Sequence, residues 1–440
     1  MHSRILLVAV LFCCGAGAEQ EVPGKKSSKK GSKKASKKKA ERKGWTFDML
    51  PRPSLRYGRS LRVDVRTKLH FDFRAVEPDS PPDYDLFRFR RRRVGIEGNF
   101  LRDFEYELEA ELSQLNPETA VGNPLLQDAF VTWRRLRWLQ VQGGRFKIPF
   151  GREQLSSPTN LDFVLRSRLG AELSPGREIG VMLHGPLLNR RFRYEAGAFR
   201  HDGQNSYAAD NQPSANLTWA GRLRSEPAQW AALPPWLRKL ELGAAFTRSD
   251  VPDGRNSLRG RTTFRTNFFP RANVKGARVR TGVEAEWSHG PVGLIGEYAR
   301  ITEQRREQSI RLANLSDLAI RSWFLTGTWL LTGEEKQGGL QPRRPFLQGW
   351  GFGAVELAIR KEFTGFSTPG ATGPPSSNPR SDHLLPASDR AWTFGVNWYW
   401  NRYVKIQINF LRETPVPQIE APGLPRQIYW NRIARIQFVI

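Results

Sequence analysis

Apolar and polar side chains alternate residue by residue through most of this 440-residue chain, and this two-residue period restricts the fold to β-strands. In the segment 404–410, Lys405, Gln407 and Asn409 alternate with apolar residues. In the segment 61–74, one face is apolar and the other carries seven ionisable residues. A soluble sheet does not require so many charges on one face, whereas a wall between lipid and water does. The period therefore predicts an all-β protein, a transmembrane antiparallel β-barrel.

The phase of the alternation, followed along the chain, gives about sixteen strands, an even number that suits such a barrel. They are predicted at 60–74, 86–98, 101–113, 125–135, 137–149, 177–185, 191–201, 214–224, 238–249, 277–288, 291–303, 319–332, 350–363, 390–400, 403–412 and 428–440. The segment Arg259–Phe269 would break the parity, so we assign it to a ribbon inside a long external loop. Short connections are then expected on the periplasmic side. Two long segments, 225–237 and 333–349, fall on that side as exceptions.

Residues 1–18 have the features of an export signal peptide that is removed from the mature protein. A positive start and an apolar stretch precede a cleavage site of small residues, Ala16-Gly17-Ala18. The alternative is a lipoprotein signal ending at Cys13 or Cys14, although the residue before each is not the usual small one. Because both cysteines lie in this segment, we expect the mature protein to have no thiol.

Residues 19–57 are predicted to form a disordered, lysine-rich tail in the periplasm. Residues 19–43 hold ten Lys, one Arg and three Glu, which gives a net charge of +8 among Ser, Gly and Ala. We expect the tail to contact anionic envelope polymers or lipid head groups, and we expect no nucleic acid partner because the chain is exported. The whole chain carries +26, and subtraction of +1 for the signal and +8 for the tail leaves +17 on residues 44–440. The predicted barrel, residues 58–440, is therefore basic.

An acidic ladder follows the second predicted strand. Asp103, Glu105, Glu107, Glu109 and Glu111 alternate with apolar residues. In a barrel, these carboxylates would lie across neighbouring strands from arginines and form cross-strand ion pairs. A solvated polar face is an equally acceptable interpretation of any single Glu.

Five segments in order along the chain resemble landmarks of the phosphate-selective porin O and P family of Gram-negative outer membranes. They are Gly144–Gly151 (GRFKIPFG), Arg177–Gly185 (REIGVMLHG), Leu331–Glu334 (LTGE), Glu356–Arg360 (ELAIR) and Gly395–Asn401 (GVNWYWN). The resemblance covers roughly residues 58–440 and implies a sixteen-stranded porin, a homotrimer, with a long third loop folded into the lumen. Two features depart from the family: Leu165 precedes Arg166-Ser167 where an acidic residue is usual, and Ile440 ends the chain without an aromatic residue.

The resemblance also implies where anions would bind, because the narrowest point of such a porin lies where the third loop meets the wall. The basic residues here are Arg152, Arg166 and Arg168 on the loop and Arg145 and Lys147 on the strand before it. Arginine offers a fork of donors and lysine a compact charge, and both can replace part of the hydration of phosphate. Arg222 and Arg224 could extend these sites along the channel, or could be paired with acidic residues.

The run Arg90-Arg-Arg-Arg93 is the one place where the alternation fails. If Phe87 and Phe89 face lipid, strict alternation turns Arg91 and Arg93 to lipid as well, at a cost of about 2–4 kcal/mol for a mid-membrane arginine. A one-residue β-bulge near Arg91–Arg93 would instead turn an extra arginine inward, and Arg90, Arg91 and Arg93 are our pore-lining candidates in this run. The alternative places them at the rim, in contact with lipopolysaccharide phosphates.

The sequence therefore predicts an outer-membrane porin for small anions, phosphate or polyphosphate, surrounded by outer-membrane lipid and lipopolysaccharide. A non-selective or weakly selective general porin is one alternative, and an outer-membrane barrel enzyme or an envelope-binding structural protein is another. The six histidines are scattered without metal-ligand spacing, and no nucleophile or phosphate-loop motif occurs. We expect no enzyme activity, no cofactor and no metal.

Overall fold

The computed structural model describes residues 44–77, 87–112, 126–207, 212–214, 216–229, 231–263, 267–336, 339–347, 349–417 and 428–440. Sixteen antiparallel strands, each paired with the next, close into a barrel where the last strand pairs with the first. They are β3 Leu61–Glu77, β4 Phe87–Phe100, β5 Phe104–Glu111, β6 Leu126–Trp133, β7 Gln140–Lys147, β8 Arg177–Leu187, β9 Phe192–Phe199, β10 Thr218–Ser225, β11 Glu241–Gly254, β14 Val274–His289, β15 Val292–Arg305, β16 Leu315–Leu330, β17 Ala354–Ser367, β18 Ala387–Tyr399, β19 Val404–Val416 and β20 Tyr429–Val439. The predicted fold and strand number are confirmed. No helix in the described part of the chain is long and apolar enough to cross a membrane.

The barrel buries its polar face and exposes its apolar face. Asp72, Glu413 and Arg435 are 0% exposed, whereas Phe73 and Phe410, at neighbouring positions on the outer surface, are each 44% exposed. This inversion follows from the two-residue period, since one face of every strand points to the lumen and the other away from it. The outer surface is therefore apolar and suits lipid, and the lumen is filled with charged side chains.

The connections differ in length at the two ends of the barrel. At one end, the short-turn end, strands are joined by tight connections such as 101–103, 290–291 and 400–403. At the other, the long-loop end, the connections include 148–176 and 368–386, which we name L3 and L7. The two long connections expected as exceptions do lie at the short-turn end, between β10 and β11 and between β16 and β17.

Part of the predicted tail is ordered. Residues 45–57, which the sequence assigned to a disordered tail, form a hairpin of β1 Trp45–Asp48 and β2 Ser54–Tyr57, and β2 pairs with β3. The prediction of disorder is wrong for this segment. The pairing of β20 with β3 stops at Lys68, and the alternating residues of β2 continue the sheet by pairing with the first residues of β3. The signal and the lysine-rich residues 19–43 lie outside the described residues.

The predicted ribbon is confirmed at Arg259–Phe269, where β12 Gly260–Arg261 pairs with β13 Asn267–Phe269. Phe268 and Phe269 are fully buried, and the Phe269 ring stacks on Phe366 with centroids 4.2 Å apart. They join an apolar cluster with Leu169 and Leu173 of L3. The ribbon thus fixes the far end of L3 against the wall.

Candidate functional site

L3 folds into the lumen, as the resemblance implied. Gly151 (φ 75°) turns the chain into the short helix α1 Arg152–Leu155, and a side chain at this glycine would also meet the Ser174 hydroxyl. The backbone N–H of Glu153 donates to Glu297 Oε1 at 2.5 Å, and that of Val164 donates to Asn409 Oδ1 at 2.7 Å. These bonds hold L3 against the β15–β19 side of the wall.

Arg168 is the main attachment of L3. Its guanidinium donates to Glu362 at 2.8 Å, lies 2.5 Å from Asp389 and also pairs with Glu413, while Nε donates to the Arg261 carbonyl at 3.0 Å. Arg168 is 7% exposed. Its donors are occupied by protein oxygens, so the structure places this predicted anion-binding residue in an anchor instead.

Four more of the predicted anion-binding arginines lie in ion pairs. Arg93 donates to Glu109 at 2.9 Å and to Glu111 at 2.8 Å. The other three follow the same pattern: Arg152 with Glu286, Arg222 with Glu195 and Glu284, and Arg224 with Glu241. An anion at any of these arginines would compete with a carboxylate, so the structure does not present them as free sites.

The acidic ladder supplies several of these partners, as predicted. Glu107 accepts from Arg66 at 2.8 Å, and Glu109 accepts from Lys68. These pairs join β3 to β5 across the intervening strand β4, where Gly95 lies in register between Arg66 and Glu109. A Cβ at Gly95 would lie 2.6 Å from the Leu108 carbonyl oxygen. A glycine at this position therefore leaves space for the long side chains to meet.

The predicted bulge is present at Arg90. His70 pairs with Arg91 and Phe71 pairs with Phe89, so Arg90 is the extra residue, one position before the predicted span. Arg91 and Arg93 are buried, at 9% and 8% exposure. The bulge thus corrects the phase and turns two arginines into the lumen.

Arg91, Lys147 and Arg166 form what we name the L3 cation cluster. Lys147 Nζ donates to the carbonyls of Leu155 and Ser156, each at 3.0 Å, and Arg166 donates to the same Ser156 carbonyl at 2.7 Å. Arg166 interacts electrostatically with both Lys147 and Arg91. Burial lowers the pKa of Arg166 to about 10, so the group is still charged at neutral pH. L3 therefore gathers cations around one stretch of its backbone.

The cluster differs in its partners from the paired arginines Arg93, Arg168 and Arg222, and resembles Arg280 and Lys405, which also bind neutral groups. Arg91 contacts His70 Nδ1 at 3.2 Å, and Arg166 also donates to the Glu153 carbonyl at 3.0 Å. Among the described residues, no carboxylate lies within 4.0 Å of the charged groups of Arg91, Lys147 or Arg166. Neutral carbonyls do not cancel the positive charge of these groups as a paired carboxylate would, so the cluster can attract anions.

Two cavities border L3 on either side of residues 155–157. One, of about 320 Å³, lies between L3 and β14–β20 and is lined by Ser156, Lys336 and Lys405. The other, of about 280 Å³, lies between L3 and β3–β9 and is lined by Lys68, Lys147 and others. Lys147 and Arg166 of the cluster thus bind the stretch of L3 backbone that lies between these cavities.

Arg145 and Arg90 are the remaining predicted site residues. Arg145 donates to the Leu126 carbonyl at 3.1 Å and to Gln204 Oε1 at 2.8 Å, so it joins loop ends at the rim of β6 and lies outside the cluster. Arg90 lies in the bulge and interacts electrostatically with Asp72. Asp72 itself accepts two bonds from Arg435.

The sequence reasoning missed several buried cations of the lumen. Arg435 binds Asp72 through both ends of its fork, at 2.6 and 2.8 Å, and Arg177 binds Asp128 in the same way. Lys68 was recognised on the polar face but not as a partner of the acidic ladder. The alternation of the last strand could have identified Arg435, since it shares the inward face with Gln437. No group of three or more potential metal ligands occurs in the described ranges.

The sequence matches the model of the phosphate-selective porin O and P family over residues 62–415. No curated protein matches the chain. Solved outer-membrane proteins are similar in structure, and three of them illustrate the likeness. The trimer form of OmpT of Vibrio cholerae is 11% identical, with a TM-score of 0.53 over 87% of this chain and 100% of that one.

The outer membrane channel DcaP of Acinetobacter baumannii is 7% identical, with a TM-score of 0.55 over 87% of this chain and 98% of that one. OprB of Pseudomonas putida is 10% identical, with a TM-score of 0.50 over 87% and 94%. At these identities, the likeness demonstrates the barrel fold alone.

Proposed function

The chain belongs to the phosphate-selective porin O and P family and is an outer-membrane porin, and from this premise we propose that its channel selects small anions, with phosphate or polyphosphate as the favoured class. The observation that carries this proposal is the L3 cation cluster, because its three cations have no carboxylate partner among the described residues and Lys147 lines one of the two cavities beside L3.

The contrast between paired and unpaired cations determines where selectivity would arise. Most lumen arginines, such as Arg222 and Arg93, are neutralised by one or two carboxylates and contribute little net field. A paired arginine attracts an anion only weakly, since its carboxylate repels the same anion. The few cations bound to carbonyl groups would therefore control which ions pass, more than the net charge of +17 on residues 44–440.

The same arrangement suits transport as well as attraction. A conducting site must bind the ion well enough for entry and weakly enough for release. Lys147 and Arg166 already share the Ser156 carbonyl, so each has part of its donor capacity occupied. A phosphate oxygen would exchange with that carbonyl at modest cost, which favours rapid passage over tight binding.

A weakly selective general porin is the second candidate, and one observation favours it. Acidic residues line both cavities, including Glu107 and Asp128 on one side and Glu153 and Glu286 on the other. Because each of these carboxylates is paired with an arginine, the charges along both cavities largely cancel, which favours neither sign of ion. The two candidates differ in whether the cluster adds a preference for anions.

The remaining parts of the proposal concern assembly and orientation. Family membership and the trimer form of OmpT support a homotrimer. The short-turn end would face the periplasm and the long-loop end would face outwards, and the lysine-rich residues 19–43 would also lie in the periplasm. In the periplasm, the +8 charge of residues 19–43 suits contact with anionic envelope polymers.

The proposal is tested by inhibition of chloride current by phosphate in planar bilayers. Wild-type channels should show saturable inhibition, and Arg166→Gln or Lys147→Gln should weaken it severalfold because each removes one cation of the cluster. Arg300→Gln is a matched control, since it removes the same charge from a side chain exposed on the outer face. Equal inhibition in all four proteins would exclude the cluster as the site, and absence of inhibition in the wild type would favour the general porin.

A further inference from the structure

The outer surface of the barrel carries basic side chains where lipid contact predicts apolar ones. We name as the outer basic belt the exposed or half-exposed residues Arg248, Arg300, Arg321, Lys361, Arg390 and Arg412. The two residues adjacent to each belt residue in the sequence are buried. For example, Asp389 and Ala391, on either side of Arg390, are 0% and 1% exposed. Since successive side chains of a strand point to opposite faces, the belt residues point away from the lumen.

The belt lies at one level of the barrel. Counted from the short-turn end of its own strand, each residue is between seven and nine positions along: Arg300 is eight residues after Val292, and Arg390 is nine before Tyr399. At about 3.3 Å per residue and a strand tilt of about 40°, eight residues span about 20 Å along the barrel axis. The apolar band of such barrels is about 25 Å tall, so the belt lies near its long-loop boundary.

The side chains below and beside the belt fit a membrane boundary. Towards the short-turn end, the same faces carry exposed Phe394, Val396 and Ile408. At the level of the belt, Lys361 Nζ lies 4.9 Å from the Trp392 ring centroid and the Arg412 guanidinium lies 6.0 Å from that of Trp430. Aromatic rings with adjacent cations are typical of the zone where acyl chains meet polar head groups.

The charges of the belt are not balanced by carboxylates among the residues that the structure describes. None of its six residues forms a salt bridge with a carboxylate in the described part of the structure. Arg300 and Arg321 are paired directly across β15 and β16, and like charges opposite each other destabilise a sheet. An anion shared by both guanidinium groups would remove this repulsion.

We propose that the outer basic belt binds the phosphate groups of lipopolysaccharide in the outer leaflet. The belt is continuous with the apolar wall that faces lipid, so its occupant must itself be part of the membrane. A phosphorylated glycolipid places its anionic groups at the boundary of its acyl chains, at the height of the belt. Arginine suits this role because its fork of donors matches phosphate oxygens. The site is distinct from the channel and does not depend on ion selectivity.

The test is binding of lipid A to the purified full-length protein, measured by native mass spectrometry. The probe is hexa-acylated lipid A with two phosphates, and the same lipid after removal of both phosphates is the comparison. The variant combines Arg321→Gln, Arg390→Gln and Arg412→Gln. The matched control combines Arg137→Gln, Arg191→Gln and Arg238→Gln, which remove three exposed cations at the short-turn end.

The belt variant should bind phosphorylated lipid A more weakly by about fivefold per cation removed. The control should bind it like the wild type, and the dephosphorylated lipid should bind all three proteins equally weakly. Heat-dependent mobility in gels should show that each protein retains a folded barrel. Equal binding by the belt variant and the control would overturn the proposal, as would equal binding of the two lipids to the wild type.

Discussion

The substitution Arg168→Gln tests whether L3 is held in the lumen by its buried ion network. Arg168 contacts Glu362, Asp389 and Glu413, which lie on three different strands and are at most 5% exposed. Its removal leaves three carboxylates close together without their common cation. Loss of one partner from a buried ion pair costs about 3–5 kcal/mol, so a similar or larger loss is expected here.

This energy should be lost from L3 and not from the whole barrel, because the strand ladder is unchanged. We expect single-channel conductance to rise and become noisy as L3 leaves the wall, while heat-dependent gel mobility still shows a folded barrel. The matched control is Lys239→Gln, since the pair of Lys239 with Glu335 is about half exposed and such pairs contribute about 0–1 kcal/mol. Partial rescue is expected when Glu413→Gln is added, as one repelling charge is removed. Conductance and thermal stability of Arg168→Gln equal to those of the control would refute the reasoning.

Three further predictions concern the lumen, a loop and the bulge. Glu109→Gln removes a carboxylate that Arg93 and Lys68 share. One charge about 8 Å from a permeating ion in water changes the energy of that ion by about 0.5 kcal/mol, so the freed positive charge favours chloride and disfavours potassium by this amount. The ratio of chloride to potassium permeability should therefore rise about fivefold, and an unchanged ratio would contradict this. In L7, desolvation raises the pKa of Asp382, but hydrogen bonds from the Thr372 and Ser316 backbone lower it to about 2 overall. Because the pKa of Asp382 is lower in the folded protein, these hydrogen bonds stabilise L7 fully above the ordinary Asp pKa of about 4. This stabilisation is lost as the pH falls towards about 2. Proteolysis of L7 should increase over that range in the wild type, and Asp382→Asn should remove this pH dependence. Deletion of Arg90 should preserve folding, because it removes the bulge and leaves the phase on both sides intact, whereas deletion of Gln407 from the regular β19 should prevent it, as gel mobility would show.

The fold was predictable because the alternation is a local signal. A strand that separates lipid from a polar lumen must repeat every two residues, so its identity can be read from the sequence of β19 alone. The failure of this pattern at Arg90 located a bulge to within one residue. The hairpin of β1 and β2 was missed because two strands of four residues are too short to stand out beside a lysine-rich segment.

The site was predictable only as a set of candidates. Arg166 and Arg168 are two residues apart, yet one donates to carbonyl groups and the other is bound by carboxylates. The partner Glu413 lies 245 residues from Arg168 in sequence, and no local pattern reveals such a pairing. Composition therefore indicates that the lumen is basic, but only the three-dimensional register distinguishes a compensated arginine from an uncompensated one.

The most direct test of an anion-selective channel is the reversal potential of the wild-type protein in a planar bilayer with a potassium chloride gradient. The uncompensated charges of Arg91, Lys147 and Arg166 should make chloride more permeant than potassium, and the preference should shrink at molar salt as screening shortens the reach of these charges. Equal permeability, a preference for potassium or a protein that does not conduct would contradict the account.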